Sequence, residues 1–286
     1  MKKGGDMVNL ELFLSNACIL CLIVSMTTAG VHFIKNRRKF DDNPDTKPGK
    51  LSRIEKTSLA AAMAGILFIT TLMIARALKT GHGPFTGMYE FSIAFTWGIL
   101  IMGIFFSLKY HNIILHFGGM IVAVGLLIYA GTLSATASPL VPALQSSFLL
   151  SVHVLSAVIA YGAFTIGFIS SIFFIINKNH RSSMFPDAES LERISYHAVI
   201  IGFPFMTLVI VLGAIWADLA WGRYWGWDPK ETASLVTWLI YAGYLHARIM
   251  RGWKGQKSAW MLIIGFIAVI FTFFGNYIFS GLHAYG

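Results

Sequence analysis

Apolar residues fall into eight long runs along the chain, at about 10–34, 57–78, 90–108, 112–131, 148–177, 194–217, 233–250 and 258–280, divided by short polar or turn-forming stretches. An α-helix rises 1.5 Å per residue, so about 20 mostly apolar residues cross the roughly 30 Å hydrocarbon layer of a bilayer. Inside that layer each backbone N–H and C=O must find its partner within the protein, and a run of this length does so as a helix. The pattern predicts an all-α fold, a polytopic transmembrane helix bundle of about eight helices. The fifth run exceeds one perpendicular span and is expected to tilt or protrude. The first is too long for a cleavable signal peptide, and the basic cluster at 35–39 follows it as a stop-transfer pattern.

The polar connectors give the bundle a direction. Loops 35–56, 109–111, 178–193 and 248–257 alternate onto one side and, with their flanking residues, hold 16 of the 22 Lys and Arg residues. The opposite side has Lys2, Lys3, Arg76, Lys79, Arg223 and Lys230. Basic residues accumulate on the cytoplasmic side of membrane proteins, so this partition predicts an even number of spans with both termini on the outer side. It also accounts for the net charge of +9 without a polyanionic partner, and no nucleic acid is expected. Charged residues make up 12% of the 286 residues against about 25% in soluble domains, which excludes a soluble enzyme or a disordered chain. Two cysteines, Cys18 and Cys21, both in the first apolar run, exclude a disulfide scaffold. At i and i+3 they share a helix face and read as small packing residues; Leu22 follows them, so this is not a C-x-x-C-H haem attachment site. The chain divides into 1–147, with helices one to four, and 148–286, with helices five to eight and a Trp-rich outer loop at 216–232, within one integral bundle.

Three outer segments depart from ordinary connectors: 81–91 with His82, Tyr89 and Glu90; 132–147, leading to His153; and 216–232. The last holds four of the eight Trp residues within 12 positions, Trp216, Trp221, Trp225 and Trp227, interleaved with Gly222, Arg223, Tyr224, Gly226, Asp228, Lys230 and Glu231. An interfacial aromatic belt is one explanation, since indole is apolar with one polar N–H. The other is a site for a planar, aromatic, anionic ligand, where glycines allow close backbone approach and Arg223 or Lys230 meets carboxylates. Asp228 before Pro229, with Glu231 three positions on, has the pattern of a helix N-cap, Pro at the first helical position and a capping box.

The string Trp221 to Thr232, WGRYWGWDPKET, resembles the tryptophan-rich WWD signature of haem-handling proteins of cytochrome c maturation. Further stretches match the CcsA/ResC family of the system II pathway: Gly202-Phe-Pro204, Leu239 through His246 to Arg248, Phe274-Gly-Asn276-Tyr277, and Ser280-Gly-Leu-His283-Ala-Tyr285. Tyr89-Glu90-Phe91 also resembles a family element. The likeness is dense over 148–286 and thinner before it. Ala233 stands where the family commonly has Trp.

The resemblance implies a haem-binding and haem-presenting component of a cytochrome c synthase (haem lyase). Such a component works with a CcsB/ResB-type membrane partner and attaches haem b through thioether bonds to an apocytochrome c C-x-x-C-H motif. It implies His153 and His283 as the outer haem-iron ligands and His246 as a ligand of a transmembrane haem site whose second ligand lies in the partner. Trp221, Arg223, Tyr224, Trp225, Trp227 and Asp228 would line the outer haem site. No residue is expected as nucleophile, because the substrate cysteines supply the thiols. The implied location is a bacterial cytoplasmic membrane or an equivalent energy-transducing membrane, with the active face outside. Two alternatives remain: a haem exporter or chaperone without ligase activity, which would share the Trp-rich loop and the histidines, and a b-type electron-transfer cytochrome, which would normally pair histidines on neighbouring helices inside the bilayer, against the outer placement of His153 and His283.

Overall fold

A computed structural model describes residues 2–42, 51–85, 87–135, 147–180 and 185–278, with side chains described within 9–35, 51–85, 87–135, 148–177 and 185–275. Eight helices follow one another: α1 (Lys2–Asp42), α2 (Arg53–Thr80), α3 (Met88–Tyr110), α4 (Ile113–Gly131), α5 (Ser147–His180), α6 (Ala188–Trp221), α7 (Pro229–Arg251) and α8 (Gln256–Ile278). No strand occurs among the described residues. All except α7 are long and apolar enough to cross a membrane. In α7 the apolar run is diluted by Thr237, Trp238, Tyr241, Tyr244 and His246. The helices group into two compact units, 1–137 with 182–184, and 138–181 with 185–286.

In the first unit α1 pairs with α2, and α3 with α4. Ser52 caps α2 and forms a capping box with Glu55; Gly81 ends that helix in the left-handed region. The cysteine face of α1 packs on α2 at Gly65, where a Cβ would stand 3.3 Å from Leu22 Cδ2 and 3.6 Å from Cys21 Cβ. Cys18 is buried and Cys21 half-buried, in keeping with a packing role. Two polar clusters sit inside this apolar frame. Ser25 and Ser58, fully buried, exchange hydroxyl-to-carbonyl hydrogen bonds at 2.7 and 2.8 Å, and His116 Nε2 approaches Ser25 Oγ at 3.2 Å. The second cluster centres on Arg76, which is 2% exposed. Its guanidinium donates to Glu11 Oε2 at 2.5 Å, to Glu90 Oε1 at 3.0 and 3.1 Å, and to the Ala135 carbonyl at 3.1 Å, and it lies 4.9 Å from the Tyr89 ring centre. Lys79 adds a contact to Glu11 Oε1 at 3.6 Å. Three other segments of the chain therefore converge on the buried cation of α2.

In the second unit α5 lies against α6 and α8, and α7 against α8 and α6. Phe164 of α5 stacks on Tyr241 of α7 with ring centres 3.6 Å apart. Glycines flank the stack. A Cβ on Gly202 of α6 would come within 2.6 Å of Phe164, and one on Gly265 of α8 within 3.0 Å of Tyr241. Helix α6 continues through Pro204, although proline offers no N–H to the helical ladder. Asp187 caps the start of α6 by accepting from the Ser190 amide. Arg248 of α7 donates to Glu192 of α6 at 2.6 Å and sits 4.6 Å from the Tyr196 ring centre.

Candidate functional site

The Trp-rich segment is the connection between α6 and α7. Helix α6 stops because Gly222 takes φ 70° and donates its N–H to the Asp218 carbonyl at 2.8 Å, a left-handed C-cap that glycine adopts without steric cost. Six residues later α7 starts with Asp228 as N-cap and Pro229 at its first position. Asp228 is buried, and its carboxylate accepts from the Lys230 amide at 3.1 Å. The capping box predicted from the spacing is formed.

Glu231 does more than cap. Its Oε2 accepts from both the Gly226 amide (2.8 Å) and the Asp228 amide (3.1 Å). Those two N–H groups flank Trp227, whose φ is +56°. A β-carbon in this region meets the following carbonyl, and the conformation is costly for a bulky side chain. The carboxylate holds a turn that leaves the Trp227 indole 70% exposed, with Trp225 edge-on to it at 5.7 Å. Tyr224 is 61% exposed. Arg223 folds its guanidinium onto Gly226, where a Cβ would stand 3.0–3.1 Å from Nε, Cζ and Nη2. Glycine at 226 thus gives the Arg223 cation a fixed backing beside the exposed aromatic rings. Trp221 and Trp225 are half-buried, and Trp221 packs edge-on against the buried Trp216 at 4.8 Å. The loop presents an aromatic, cationic surface on a backbone pinned at both ends.

His153 lies six positions into the described helix α5 and faces α6 at Gly213. Gly213 precedes Trp221 by eight residues, about 12 Å along the helix axis, so His153 stands two turns back from the Trp-rich loop. His246 lies elsewhere. It follows Pro229 by 17 residues, about 26 Å along α7, and its side chain is exposed. His283 lies outside the described residues. The structure therefore brings Trp221, Arg223, Tyr224, Trp225, Trp227 and Asp228 into one loop with His153 nearby, and separates His246 from them.

Other polar or notable residues are engaged in the fold. Glu90 is a partner of Arg76. Ala233, where the family commonly has Trp, is a buried residue of α7. His32 is drawn to Glu55 at 3.6 Å and His116 to Ser25, both within the first unit. One contributor was not singled out from the sequence, and one has a further role there. Gly213 looks like any other residue of an apolar run. Glu231 was visible as the third residue of a capping box, but its grip on Gly226 depends on the path of the loop.

These features define a polytopic helical membrane protein with an aromatic, cationic loop between its sixth and seventh helices. The chain belongs to the cytochrome C assembly protein family, whose profile matches residues 85–283. That match starts well before the densest sequence likeness at 148 and takes in α3 and α4. Its relatives include the cytochrome c biogenesis protein CcsA of Chlamydomonas reinhardtii, 37% identical over 247 residues, which cover 82% of this chain and 70% of that protein. The CcsA of Microcystis aeruginosa is 32% identical over an alignment covering 98% of this chain and 99% of that one. Among solved structures, the cytochrome c haem lyase CcmF shares the fold, with a TM-score of 0.67 at 15% identity over 94% of this chain. The present chain spans 46% of that structure's length. The protein is thus a multi-pass membrane protein of cytochrome c biogenesis.

Proposed function

We propose that this protein binds haem b at its outer face and presents it for thioether attachment to apocytochrome c, acting with a CcsB/ResB-type membrane partner. The observation that carries the reading is the loop between α6 and α7. It exposes Trp227 and Tyr224, keeps a cation at Arg223, and lies two helical turns from His153. An exposed indole on a left-handed backbone is unfavourable for the isolated chain and useful to a flat aromatic ligand. In this reading His153 and His283 ligate the iron, Arg223 meets a propionate, and residues 148–286 form the haem-handling core.

The reaction needs no nucleophile from this chain. A substrate Cys thiol adds across a haem vinyl group: the sulfur bonds to one vinyl carbon and hydrogen ends on the other, with no oxidant consumed. This chain's contribution is orientation, which converts an encounter of haem and peptide into a positioned addition. His246, exposed on α7 and about 26 Å from the loop end, belongs to a separate transmembrane haem site completed by a ligand from the partner.

The test is an absorption spectrum of the chain co-purified with its CcsB/ResB-type partner, beside His153→Gly and the His153→Gly/His283→Gly double variant, with co-expressed apocytochrome c. The expected result is a reduced bis-histidine haem spectrum whose outer-site share the variants lose, loss of holocytochrome formation, and partial recovery with added imidazole. Full holocytochrome formation by the double variant would overturn the outer-ligand reading. Haem binding without any attachment would favour an exporter or chaperone.

A further inference from the structure

The position of His153 on α5 is set by an absence on the facing helix. A Cβ built on Gly213 of α6 would lie 3.1 Å from His153 Cε1 and 3.5 Å from Nδ1, while Nε2 is not among the atoms within 4 Å. Carbon contacts as short as 3.1 Å are tighter than packed interiors accept, since optimal separation is about 3.5–4.0 Å. The Nδ1–Cε1 edge of the ring therefore rests in the space that a side chain at 213 would fill, and Nε2 lies farther from that position than either atom.

We propose that Gly213 is the positioning residue for His153: by offering bare backbone it seats the imidazole edge-on against α6 and leaves Nε2 as the nitrogen that faces the iron. The inference rests on the reading of His153 as an outer haem ligand and adds which nitrogen binds and what aims it. A methyl group at 213 forces the ring to give by a few tenths of an ångström. A branched side chain forces it out of its seat. An axial ligand tolerates little such displacement, because a bond to iron depends on both the distance and the direction of the nitrogen lone pair. The two elements involved are long helices packed against each other, so the ring moves more readily than the backbone.

The experiment compares Gly213→Ala and Gly213→Leu with His153→Gly in the full chain co-purified with its partner, reading bound haem and its reduced spectrum per folded chain. Gly202→Ala serves as the packing control: it creates a closer clash, 2.6 Å to Phe164, 11 residues or about 16 Å away along α6. The expected result is a graded loss of the share of haem that His153→Gly removes, several-fold for Ala and near-complete for Leu, while the share held at the His246 site stays. External imidazole should restore the spectrum in the Leu variant as it does in His153→Gly, whereas Gly202→Ala lowers only the yield of folded protein. If both Gly213 variants keep the parental spectrum while His153→Gly loses it, the seat is overturned and the ligand reading stands. If His153→Gly itself keeps the spectrum, the ligand reading and the seat fall together. Should Gly213→Leu fail to fold, Gly213→Ala with imidazole still decides, because a merely structural defect is not rescued by a small base.

Discussion

Trp227 is unfavourable to the fold in two ways. Its backbone sits at φ +56° and its indole is 70% exposed. The left-handed conformation costs a non-glycine residue about 1–2 kcal/mol, and a ring this exposed returns little through burial. Trp227→Gly should therefore raise stability by up to about 1 kcal/mol while lowering haem retention and holocytochrome yield several-fold. Thermal unfolding in detergent, run beside a haem-to-protein ratio, checks both parts. A variant that is less stable than the parent, or that keeps full haem, would contradict the assignment of the strain to ligand presentation. At this scale the sequence was informative where chemistry is local. Asp228, Pro229 and Glu231 announce a helix start by residue type and spacing alone, and the cap forms as expected. The left-handed Trp227 is not legible that way, because it arises from one carboxylate oxygen holding two amides five and three residues back.

Among the elements, Arg76 shows how membrane helices are tied by a few polar contacts when lipid removes the hydrophobic drive between them. The guanidinium of α2 is shared by Glu11 of α1, Glu90 of α3 and the carbonyl of Ala135 beyond α4. Breaking a buried ion pair by removing one partner costs about 3–5 kcal/mol, since the remaining charge stays desolvated. Arg76→Met should destabilise the first unit by that amount, and adding Glu11→Gln and Glu90→Gln should restore most of the loss. Resistance to thermal or detergent-induced unfolding measures it; equal stability of the single and triple variants would show that the carboxylates do not depend on this cation. The helices themselves were readable from apolar run length, but their ends were not. Lipid-spanning composition stops where the bilayer stops, while α1, α5 and α6 continue to 41, 34 and 34 residues. Nor could spacing link Glu11 with Arg76, which lie 65 positions apart. The pairing of Gly213 with His153 escapes for the same reason, because a missing side chain carries meaning only when the facing ring is known.

For the whole molecule, the side on which the C-terminus lies depends on whether α7 crosses the membrane. Among the described residues, α7 is the helix of the eight that has no stretch apolar enough by composition to span. Apart from His246 and the basic C-terminal turn, its polar groups turn toward other helices. Thr237 is buried against Thr272 of α8 at 3.0 Å, Trp238 donates its indole N–H to Thr207 of α6 at 2.9 Å, and Tyr241 and Tyr244 are each 1% exposed. Val236, Leu239, Ile249 and Met250 are left on the exposed face. Such an arrangement, polar within the helix packing and apolar outside it, suits lipid and not water. The charge distribution agrees. With α7 as a span, basic residues divide 16 to 6 between the sides; with α7 outside the membrane, Arg248, Arg251, Lys254 and Lys257 change sides and the division falls to 12 against 10. In a background lacking Cys18 and Cys21, Glu189→Cys and Lys254→Cys should resist a membrane-impermeant thiol reagent added from outside, and Tyr224→Cys should react. Lys254→Cys reacting together with Tyr224→Cys would leave α7 on the outer surface and move the C-terminus, with His283, to the inner side. That outcome would also remove His283 from any site shared with His153, so a labelling experiment on two loops tests the geometry on which outer haem ligation depends.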